Sequence, residues 1–425
     1  MNLNHQDDTA AQRSKIVVTG MGVISAAGSG ILPLWDAALA GRSLLKNGVA
    51  EVNACWMTHP YRYFKKLSRS SQLALIAATQ AMESAGLEEG SRAAIPPHRI
   101  GLVAGSSRSA NDLICEVAAR RQKHTNPANQ QTQRIRPSEA LNTAIASLSG
   151  SISHFLNIQG PASTISATCA SSTVAIAQAA DQLLLNRADI MIAGGAEAPL
   201  APGVREMFEA AGILADPSSA DNLCRAFDLN RSGSALGEGA AFFILEREED
   251  ALQRGAIPLV TLRGWISGMD PTGRAKVDES GDLVEKLIRQ LLSETATPAS
   301  SVNLIHSHGT GTRLNDLAES SVIKKIWGQN EKVYTETNKS PWIQASKALI
   351  GHTLGASGAM ESCLTIEMIR KGVLPPSIHF DNSDPECGIE LNRETIENVN
   401  IQRALKISLG FWGHQSALLW EKIAS

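Results

Sequence analysis

The chain is short of aromatic residues, of paired cysteines and of any excess of charge. Aromatic side chains make up 4% of its 425 residues, and 39 Lys and Arg nearly balance 42 Asp and Glu, which gives a formal net charge of −3. This balance argues against the basic surface of a nucleic-acid-binding protein and against an acidic disordered tail. No apolar run approaches the roughly 18 residues that a membrane-spanning helix needs, so no membrane partner is expected.

Cysteine usage and the amino terminus point to the same compartment. None of the six cysteines forms a Cys-X-X-Cys pair, so their spacing favours neither a metal site nor a disulfide framework, and we expect reduced thiols. The first residues are polar and lack the apolar core of a secretory signal peptide. The sequence therefore predicts a cytoplasmic protein that begins with a disordered segment, residues 1–14.

Short apolar runs alternate with longer helical stretches along the rest of the chain. Five runs are typical of buried strands: residues 15–20, 99–104, 188–193 (closed by Gly194-Gly195), 302–307 and 404–409. Three stretches have helical spacing: residues 70–85, 284–292 and 358–370. Apolar runs without alternation predict parallel sheets covered on both faces, and hence an α/β fold.

The polar, Gly-containing stretch of residues 267–281 is the predicted joint between two halves. We expect an amino-terminal half over residues 15–266 and a carboxyl-terminal half over residues 267–425. No low-complexity linker separates them, and no internal repeat is visible in the letters.

Cys169 lies where a β-prone segment, residues 163–168, runs into an Ala-rich helical segment. The free N–H groups and the positive end of the helix dipole at such a position favour a thiolate and can bind an oxyanion. A thiolate here can attack an acyl thioester. The alternative, a small buried hydrophobe, is the ordinary role of a lone cysteine. We assign that role to the other five, Cys55, Cys115, Cys224, Cys363 and Cys387.

His308 opens a Gly/Thr-rich turn, His-Gly-Thr-Gly-Thr, that follows an apolar strand. The two glycines permit close backbone approach to a ligand, and the hydroxyl groups of Thr310 and Thr312 offer hydrogen bonds. His306 precedes His308 by two residues, and we expect it to be structural. The two histidines do not predict a metal site, because no carboxylate or third ligand at a suitable spacing accompanies them.

Lys347 and His352 lie together in a segment of small residues that enters another helix. A single histidine is more often a structural residue than a catalyst. A cysteine, two histidines and a lysine that all lie at Gly-rich turns favour a common active site. The candidate catalytic residues are therefore Cys169, His308, His352 and Lys347.

Three segments around these residues resemble the signature blocks of elongating β-ketoacyl-acyl-carrier-protein synthases, in the same order and spacing. They are residues 168–172, 308–316 and 347–358. The resemblance covers the chain from Lys15 onward. It implies a thiolase fold, in which two similar α/β halves related by a pseudo-two-fold axis form five layers, αβαβα, and the chains pair as dimers.

The resemblance also implies a reaction. Cys169 takes an acyl chain from the phosphopantetheine thioester of an acyl carrier protein, and the N–H groups of Cys169 and Phe411 form the oxyanion hole. His308 and His352 bind the carbonyl oxygen of a malonyl thioester and stabilise the enolate that forms as its carboxylate leaves. Attack of the enolate on the acyl-cysteine gives a β-ketoacyl product.

Supporting roles follow from the same resemblance. Lys347 orients the site electrostatically and pairs with Glu361, and Thr310 and Thr312 contact the extender. No metal or soluble cofactor is implied, because loss of carbon dioxide drives the step.

Two alternative functions remain: a mainly structural partner in a heterodimer, and a transacylase or thioester hydrolase that uses Cys169 without condensing.

Two departures from the family pattern predict a specialised substrate. Relatives have Phe-Gly-Phe-Gly-Gly-Thr-Asn at the carboxyl-terminal gate, where this chain has Leu409 in place of the gating Phe and Trp412 in place of a Gly. Arg108 occupies a position where relatives line the acyl pocket with an apolar side chain, and a buried guanidinium needs partners. These residues predict a pocket that is shortened or that takes a polar, aromatic or polyunsaturated chain, as in polyketide or aryl-polyene-type pathways.

Partners follow from the resemblance and from charge. An acyl carrier protein is the expected carrier of both substrates, and the dimer is either a homodimer or a heterodimer with a subunit similar to a chain-length factor. Lys65, Lys66 and Arg69 form a basic cluster that predicts a docking surface for the acidic carrier protein. An ordinary solvated face is the alternative for this cluster.

Overall fold

The computed structural model describes residues 14–88, 95–123, 136–215, 223–272, 278–328 and 340–424. Of the predicted disordered segment, residues 1–13 therefore lie outside the described residues. The strands are β1 (Ile16–Ser25), β2 (Gly28–Ser29), β3 (Val49–Ala50), β4 (Ile100–Gly105), β5 (Ala162–Ile165), β6 (Ile190–Glu197), β7 (Leu236–Gly237), β8 (Gly239–Arg247), β9 (Val260–Met269), β10 (Leu304–His306), β11 (Trp342–Gln344), β12 (Arg403–Leu409) and β13 (His414–Glu421). The α-helices are α1 (Ile31–Leu39), α2 (Arg69–Ser84), α3 (Asn111–Lys123), α4 (Pro137–Asn142), α5 (Ser147–Leu156), α6 (Ser171–Leu184), α7 (Pro202–Ala210), α8 (Glu248–Gln253), α9 (Asp282–Glu294), α10 (Arg313–Trp327), α11 (Lys347–Ile350) and α12 (Ser357–Lys371).

The central sheet contains the same arrangement of strands twice. Its order is β5-β4-β6-β8-β1-β9-β13-β12-β10-β11. The first half contributes β1, β4, β5, β6 and β8, and the second half contributes β9 to β13. If the five strands of each half are numbered 1 to 5 in chain order, both halves have the order 3-2-4-5-1 from the outer edge of the sheet to its centre. The fold is therefore a repeated α/β unit, although the repeat is not visible in the sequence.

The two halves join through β1 and β9. These strands pair antiparallel, residues 16–18 against residues 260–262. Most of β9 also pairs with β13 of the carboxyl-terminal half. The predicted boundary between residues 266 and 267 falls inside β9, and the repeated unit of the sheet begins with that strand.

The sheet is mixed, whereas the apolar runs predicted parallel strands. β4 is parallel to β5 and β6, and β10 is parallel to β11 and β12. β8 is buried along nearly its whole length and yet runs antiparallel to both β1 and β6. A continuous apolar run indicates that both faces of a strand are covered, and this does not fix the direction of the strand.

β6 does not end at Gly194-Gly195, as the sequence predicted, but continues to Glu197. A β-carbon on Gly195 would lie 2.7 Å from Ser172 Cβ and 2.7 Å from the carbonyl oxygen of Gly105. The glycine therefore serves to bring the first turn of α6 close to the sheet, rather than to turn the chain.

Helices cover the sheet in layers. α2 and α5 pack on the amino-terminal half, and α9, with α10 against it, packs on the carboxyl-terminal half. α6 and α12 lie between the halves and contact each other, with buried side chains such as Ile176, Leu183, Met360 and Leu364 in a shared core. The predicted α/β fold with five αβαβα layers is confirmed. Among the described residues, no helix is long and apolar enough to cross a bilayer.

Candidate active site

The first turns of α6 and α12 meet in the middle layer. The Ala359 N–H of α12 donates to Ser172 Oγ of α6 at 3.0 Å. Cys169 lies just before α6, and His352 lies shortly before α12. The contact between the two helix starts thus brings candidate residues from both halves of the chain to one place.

Three of the four predicted catalytic residues, Cys169, His308 and His352, line one cavity of about 470 Å³, and Lys347 does not line it. Its lining includes Cys169 from the amino-terminal half and His308, His352 and Phe411 from the carboxyl-terminal half. Other side chains complete the wall, among them Thr310, Thr312, Leu409, Phe208, Ile213 and Leu354.

A strained turn holds Cys169 at the cavity. Thr168 has a left-handed conformation (φ 50°), and α6 begins two residues after the cysteine. Ser171 Oγ fixes the turn, because it accepts the Ala167 N–H (2.9 Å) and donates to the Thr168 carbonyl (2.6 Å). The Thr168 hydroxyl also donates to the carbonyl oxygen of Phe411 (3.3 Å). The cysteine turn is therefore tied to the loop that follows β12 in the other half.

Cys169 is protonated in this environment. The residue is only 5% exposed, and burial raises the pKa of its thiol to about 12. The positive charges of Lys347 and Arg108 lower this pKa, whereas the carboxylate of Glu197 raises it. The helix start predicted a thiolate, but the loss of solvation outweighs that effect. Attack on a thioester therefore requires the proton to leave Sγ as the new bond forms.

Lys347 fixes the ring of His308. Its Nζ lies 3.3 Å from His308 Nδ1 and also donates to the carbonyl oxygen of the same residue. An ammonium group can only donate, so Nδ1 is the acceptor and the imidazole proton is on Nε2. Glu361 Oε1 lies 2.6 Å from Lys347 Nζ, which is the predicted pairing. His308 thus offers one N–H donor from a fixed ring.

Glu319 shapes the turn that carries His308. Its carboxylate accepts the backbone N–H groups of His308 (2.6 Å) and Gly309 (2.7 Å) and the side-chain amide of Asn315 (2.8 Å). Gly309 is in the left-handed region (φ 49°), and a β-carbon there would lie 2.8 Å from Ala345 Cβ. Glu319 was not predicted as a site residue, although its position one helical turn after Asn315 was an available signal for this role.

His352 is held through its backbone and its ring. Its N–H donates to the carbonyl oxygen of Ala235 (2.6 Å), and its own carbonyl accepts the Gly237 N–H (3.0 Å). Ring Nδ1 lies 2.9 Å from Ser357 Oγ. The rings of His352 and His308 meet edge to face, with 5.3 Å between their centroids and an angle of 81°.

Both of these imidazoles are neutral at physiological pH. Burial is the largest cause that holds the pKa of His308 and of His352 well below 6.5, and the charge of Lys347 lowers each pKa further. Two neutral imidazoles at one cavity can each donate an N–H to a single oxygen atom on which negative charge develops.

His306 does not line the cavity. Its Nδ1 lies 2.8 Å from Thr365 Oγ1 and its Nε2 lies 2.9 Å from Ser346 Oγ, so both ring nitrogens have partners. These contacts support the predicted structural role. Within the described ranges, no group of three or more His, Cys, Asp or Glu side chains is arranged to hold a metal ion.

Lys406 is a charged residue of this region that the sequence analysis missed. It is fully buried on β12, and its Nζ lies 2.8 Å from Glu361 Oε2. Glu361 therefore lies between two ammonium groups. Although burial raises the pKa of this carboxyl, the charges of Lys347 and Lys406 lower it to about 2. The signal was a lysine inside a predicted apolar strand, residues 404–409.

The loop after β12 forms part of the cavity wall. Leu409 and Phe411 line the cavity, and the Asp270 N–H donates to the carbonyl oxygen of Gly413 (2.8 Å). Trp412 has a left-handed conformation (φ 61°) and is 63% exposed. The ring of Trp412 therefore lies at the protein surface, and Trp412 does not line the cavity.

Arg108 lies against the cavity wall. Its guanidinium carbon is 5.2 Å from the ring centroid of Phe208, which lines the cavity. Its backbone N–H donates to Glu197 Oε1 (3.0 Å). The residue is half-buried, and no carboxylate of the described residues forms an ion pair with it. The partner of this guanidinium is an aromatic face.

The predicted docking cluster divides into two environments. Lys65 and Lys66 are exposed. Arg69 is not part of the same open surface, because its Nε donates to Glu238 Oε2 (2.7 Å), and Glu238 is buried. Arg69 thus neutralises an internal carboxylate.

Comparisons with known proteins agree on one family. The family described as "Beta-ketoacyl synthase, N-terminal domain" matches residues 47–251, and "Beta-ketoacyl synthase, C-terminal domain" matches residues 260–381. Nodulation protein E of Rhizobium leguminosarum bv. trifolii is 30% identical over 393 residues, which cover 89% of this chain and 92% of that protein.

Two solved structures are similar in sequence and in fold. A type II polyketide synthase ketosynthase in complex with its acyl-carrier protein (AntDE:AntF) has a TM-score of 0.85 and 28% identity, and covers 97% of this chain and 100% of its own. The ishigamide ketosynthase/chain length factor has a TM-score of 0.84 and 26% identity, with the same coverage. These similarities confirm the thiolase fold. The chain belongs to the β-ketoacyl synthase family, the condensing acyltransferases of fatty acid and polyketide elongation.

Proposed function

We propose that Cys169, His308 and His352 perform the condensation, with Phe411 completing the oxyanion hole. The observation that carries this proposal is the single cavity in which a cysteine at a helix start meets two neutral imidazoles. In the first step, Cys169 Sγ attacks the thioester carbonyl of an acyl carrier protein. The bond from that carbonyl to the phosphopantetheine sulfur breaks, and the thiol proton passes to the departing sulfur.

Decarboxylation of a malonyl thioester follows. Its carbonyl oxygen accepts the N–H groups of His308 and His352, the bond to the carboxylate breaks, and carbon dioxide leaves. The electron pair of the broken bond forms an enolate, whose oxygen the two N–H groups stabilise. Neutral donors suit this step, because an imidazolium would protonate the enolate before a carbon–carbon bond could form.

The enolate carbon then attacks the carbonyl of the acyl group on Cys169. The backbone N–H groups of Cys169 and Phe411 stabilise the oxyanion. The carbon–sulfur bond breaks, the β-ketoacyl product leaves on its carrier protein, and the thiolate takes up a proton. Both substrates arrive on phosphopantetheine, and the step needs no metal or bound cofactor.

The remaining predicted residues have supporting roles. Lys347 and Glu361 orient His308 through the contacts described above. Thr310 and Thr312 lie on the cavity wall with their hydroxyl oxygens 2.8 Å apart. We assign this hydroxyl pair to the extender thioester, because it can both donate and accept.

Intact-protein mass spectrometry with acyl-carrier thioesters tests the nucleophile. The wild type should gain the mass of the acyl group, and Cys169→Ala should not. His308→Ala and His352→Ala should still acquire the acyl group but release labelled carbon dioxide from malonyl carrier protein roughly 10²-fold more slowly. No adduct on the wild type would favour the structural-partner function. Acylation without release of carbon dioxide would favour a transacylase or hydrolase.

The acyl chain is proposed to be a specialised one. The Arg108 guanidinium lies 5.2 Å from the ring centroid of Phe208, which lines the cavity, and such a cation interacts with conjugated or carbonyl-bearing chains better than with saturated ones. One solved neighbour is a ketosynthase bound to a hexaketide. We therefore favour a polyketide or aryl-polyene-type pathway over ordinary fatty acid elongation.

Acyl donors of equal length test this choice. Saturated, polyenoyl and 3-oxoacyl chains on the same carrier protein are compared by their rates of acylation of Cys169. The wild type should prefer the polyenoyl or 3-oxoacyl donor, and Arg108→Leu should move the preference towards the saturated donor. A wild type that prefers the saturated chain would contradict the assignment.

Lys65 and Lys66 are proposed to dock the carrier protein. Both are exposed beside Tyr63, whose ring has the Arg62 guanidinium at 4.4 Å and Lys66 Nζ at 5.3 Å. A cationic patch of this kind steers an acidic partner. The double variant Lys65→Glu, Lys66→Glu should raise KM for carrier-bound substrate and leave kcat nearly unchanged. Lys371→Glu is the surface control. An unchanged KM would mean that the patch is an ordinary solvated face.

The proposed assembly is a dimer, either with a second copy or with a chain-length-factor-like subunit. The ishigamide neighbour is a pair of the second kind. With its candidate nucleophile and histidines present, this chain would be the catalytic member. Condensation only after coexpression with a second subunit would establish the heterodimer, and full activity of a purified homodimer would exclude that requirement.

The free cysteines fit a reducing cytoplasm, which is the compartment we propose.

A further inference from the structure

Lys406 is buried where strands β10, β12 and β13 pair. It is opposite His306 of β10 and Leu418 of β13 in the register of the sheet, and it is fully buried. β12 continues directly into the loop that carries Phe411. A lysine at such a position needs partners for its charge, because an unpaired buried ammonium group is strongly unfavourable.

The partners of Lys406 belong to the active site. Its Nζ lies 2.8 Å from Glu361 Oε2 and 3.4 Å from the carbonyl oxygen of Ser307, the residue before His308. The other oxygen of Glu361 is 2.6 Å from Lys347 Nζ, and that nitrogen is 3.3 Å from His308 Nδ1. A continuous chain of charged contacts therefore links Lys406 to the ring of His308.

Lys406 supplies one of the two positive charges next to His308. The charged and titratable groups here are Glu319 on α10, Lys347 on α11, Glu361 on α12, Lys406 on β12, and the imidazoles of His306, His308 and His352. The neighbouring carboxyl group of Asp316 pairs instead with Arg231. Burial raises the pKa of Glu319 and lowers that of Lys406. When all four side chains are ionised, two ammonium groups face two carboxylates, and without Lys406 one of these negative charges would have no ammonium counterpart beside His308.

We propose that Lys406 is a positioning residue of the condensation site, which holds Glu361 in place for Lys347 and cancels the surplus negative charge beneath His308. This inference rests on the proposed role of His308 and His352 as neutral donors to the enolate. The charge of Lys406 also lowers the pKa of both imidazoles, after the larger effects of burial and of Lys347. The second lysine thus favours the protonation state that the mechanism needs.

A purely structural role for Lys406 predicts a different result. Removal of one partner of a buried ion pair lowers stability, but Glu361 keeps its contact with Lys347 when Lys406 is replaced. Methionine fits the space of the lysine stem, so a folded Lys406→Met should then keep the wild-type rates. A positioning role predicts instead that the malonyl step slows while acylation of Cys169 does not, because the enolate forms only in the malonyl step.

The test compares Lys406→Met with the wild type and with the surface control Lys371→Met. Acylation of Cys169 is followed by intact-protein mass spectrometry, and release of carbon dioxide from malonyl carrier protein is followed across the pH range. We expect acylation within about twofold of the wild type, decarboxylation about tenfold slower near neutral pH, and a low-pH loss of activity that begins at higher pH. The double variant Lys406→Met, Glu361→Gln restores the balance of charge and should return the pH profile towards that of the wild type.

The outcomes separate this inference from the proposed function. A folded Lys406→Met with normal decarboxylation and a normal pH profile would overturn the positioning role and leave the reaction intact. A wild type that neither acylates Cys169 nor releases carbon dioxide would instead overturn the proposed function. If Lys406→Met does not fold, Lys406→Gln keeps a hydrogen-bond donor without the charge, and the same shift of the pH profile is expected of it.

Discussion

Gly410 and Thr168 touch where the two halves of the chain close around the cavity. A β-carbon on Gly410 would lie 2.1 Å from Thr168 Oγ1 and 3.2 Å from the backbone nitrogen of Cys169. The φ of Gly410 is −140°, which any residue adopts, so the glycine is required for space and not for its conformation. The loop that carries Phe411 can therefore lie against the cysteine turn only because residue 410 has no side chain.

Gly410→Ala should separate these two loops. The displaced N–H of Phe411 would no longer reach the oxyanion, so acylation of Cys169 should slow by tenfold or more. Overpacking at the contact should also cost about 1–3 kcal/mol of stability. The rate is measured as the appearance of the acyl adduct by mass spectrometry, and a wild-type rate would show that the contact does not position the oxyanion hole.

Two further variants make this prediction specific. Thr168→Ala removes the clashing hydroxyl, and the double variant Thr168→Ala, Gly410→Ala should recover most of the lost rate, because the two residues interact directly. Gly150→Ala in α5 is the matched control. A β-carbon there meets no atom within 4 Å, so this variant should acylate normally.

The local structure around the candidate catalytic residues could be predicted because each segment carries its own local signal. Cys169 follows a β-prone segment and precedes an Ala-rich helix, and the structure places it between β5 and the start of α6. His308 and His352 lie at turns whose glycines the backbone geometry requires, with positive φ at Gly309 and Gly351. Local turn chemistry and helical periodicity are encoded over a few residues, and a single sequence shows them.

The features that escaped prediction depend on contacts between distant segments. The 3-2-4-5-1 repeat and the antiparallel direction of β8 are set by strand pairing across the chain. The ion pair of Arg69 with Glu238 joins residues far apart in sequence, and the same holds for Lys406 and Glu361. The raised pKa of Cys169 reflects the burial of the whole site. No local pattern reports how deeply a group will be buried.

The pH dependence of decarboxylation should show the neutrality of the two histidines. Because burial and Lys347 hold the pKa of His308 and of His352 well below 6.5, both rings remain neutral donors as the pH falls past 6.5. Release of carbon dioxide should therefore stay nearly constant between about pH 8 and about pH 6 and decline only at lower pH. A decline centred near 6.5 would show that an imidazole of ordinary pKa controls the step.

Glu361→Gln should destabilise the fold in a pH-dependent manner. The variant leaves the buried Lys347 and Lys406 without a carboxylate, which should cost roughly 3–5 kcal/mol at neutral pH. The pKa of Glu361 is lowered from 4.5 to about 2 in the folded chain. Its stabilisation is therefore fully present above about 4.5 and is lost as the pH falls towards 2.

Denaturant unfolding of wild type and Glu361→Gln at several pH values measures this effect. The difference in unfolding free energy should be constant above about pH 5 and should shrink below it. Glu209→Gln, which breaks only an exposed pair with Arg205, is the control and should change stability by less than about 1 kcal/mol. A difference that does not vary with pH would mean that the carboxylate is not ionised in the folded protein.

Ser357→Ala should slow decarboxylation through His352. The proposed donor role requires the imidazole proton on Nε2, so the Ser357 hydroxyl, 2.9 Å from Nδ1, must be the donor of that hydrogen bond. Without this bond, the ring of His352 is no longer held in one orientation, and its proton is no longer held on Nε2. A typical net contribution of about 1.4 kcal/mol corresponds to a tenfold lower kcat for release of carbon dioxide, with little change in KM or in acylation of Cys169.

The same helix supplies the control for Ser357→Ala. Ser362 Oγ is also buried in α12, but it has no hydrogen-bond partner among the described residues, so Ser362→Ala removes a hydroxyl without breaking a bond. We expect this variant to keep the wild-type kcat. If kcat falls equally in both variants, α12 tolerates no change at either position. That result would contradict a specific role of Ser357 in the reaction. A loss confined to Ser357→Ala would identify the hydroxyl that sets the tautomer of His352, because Ser362→Ala also removes a buried hydroxyl from α12 but breaks no hydrogen bond.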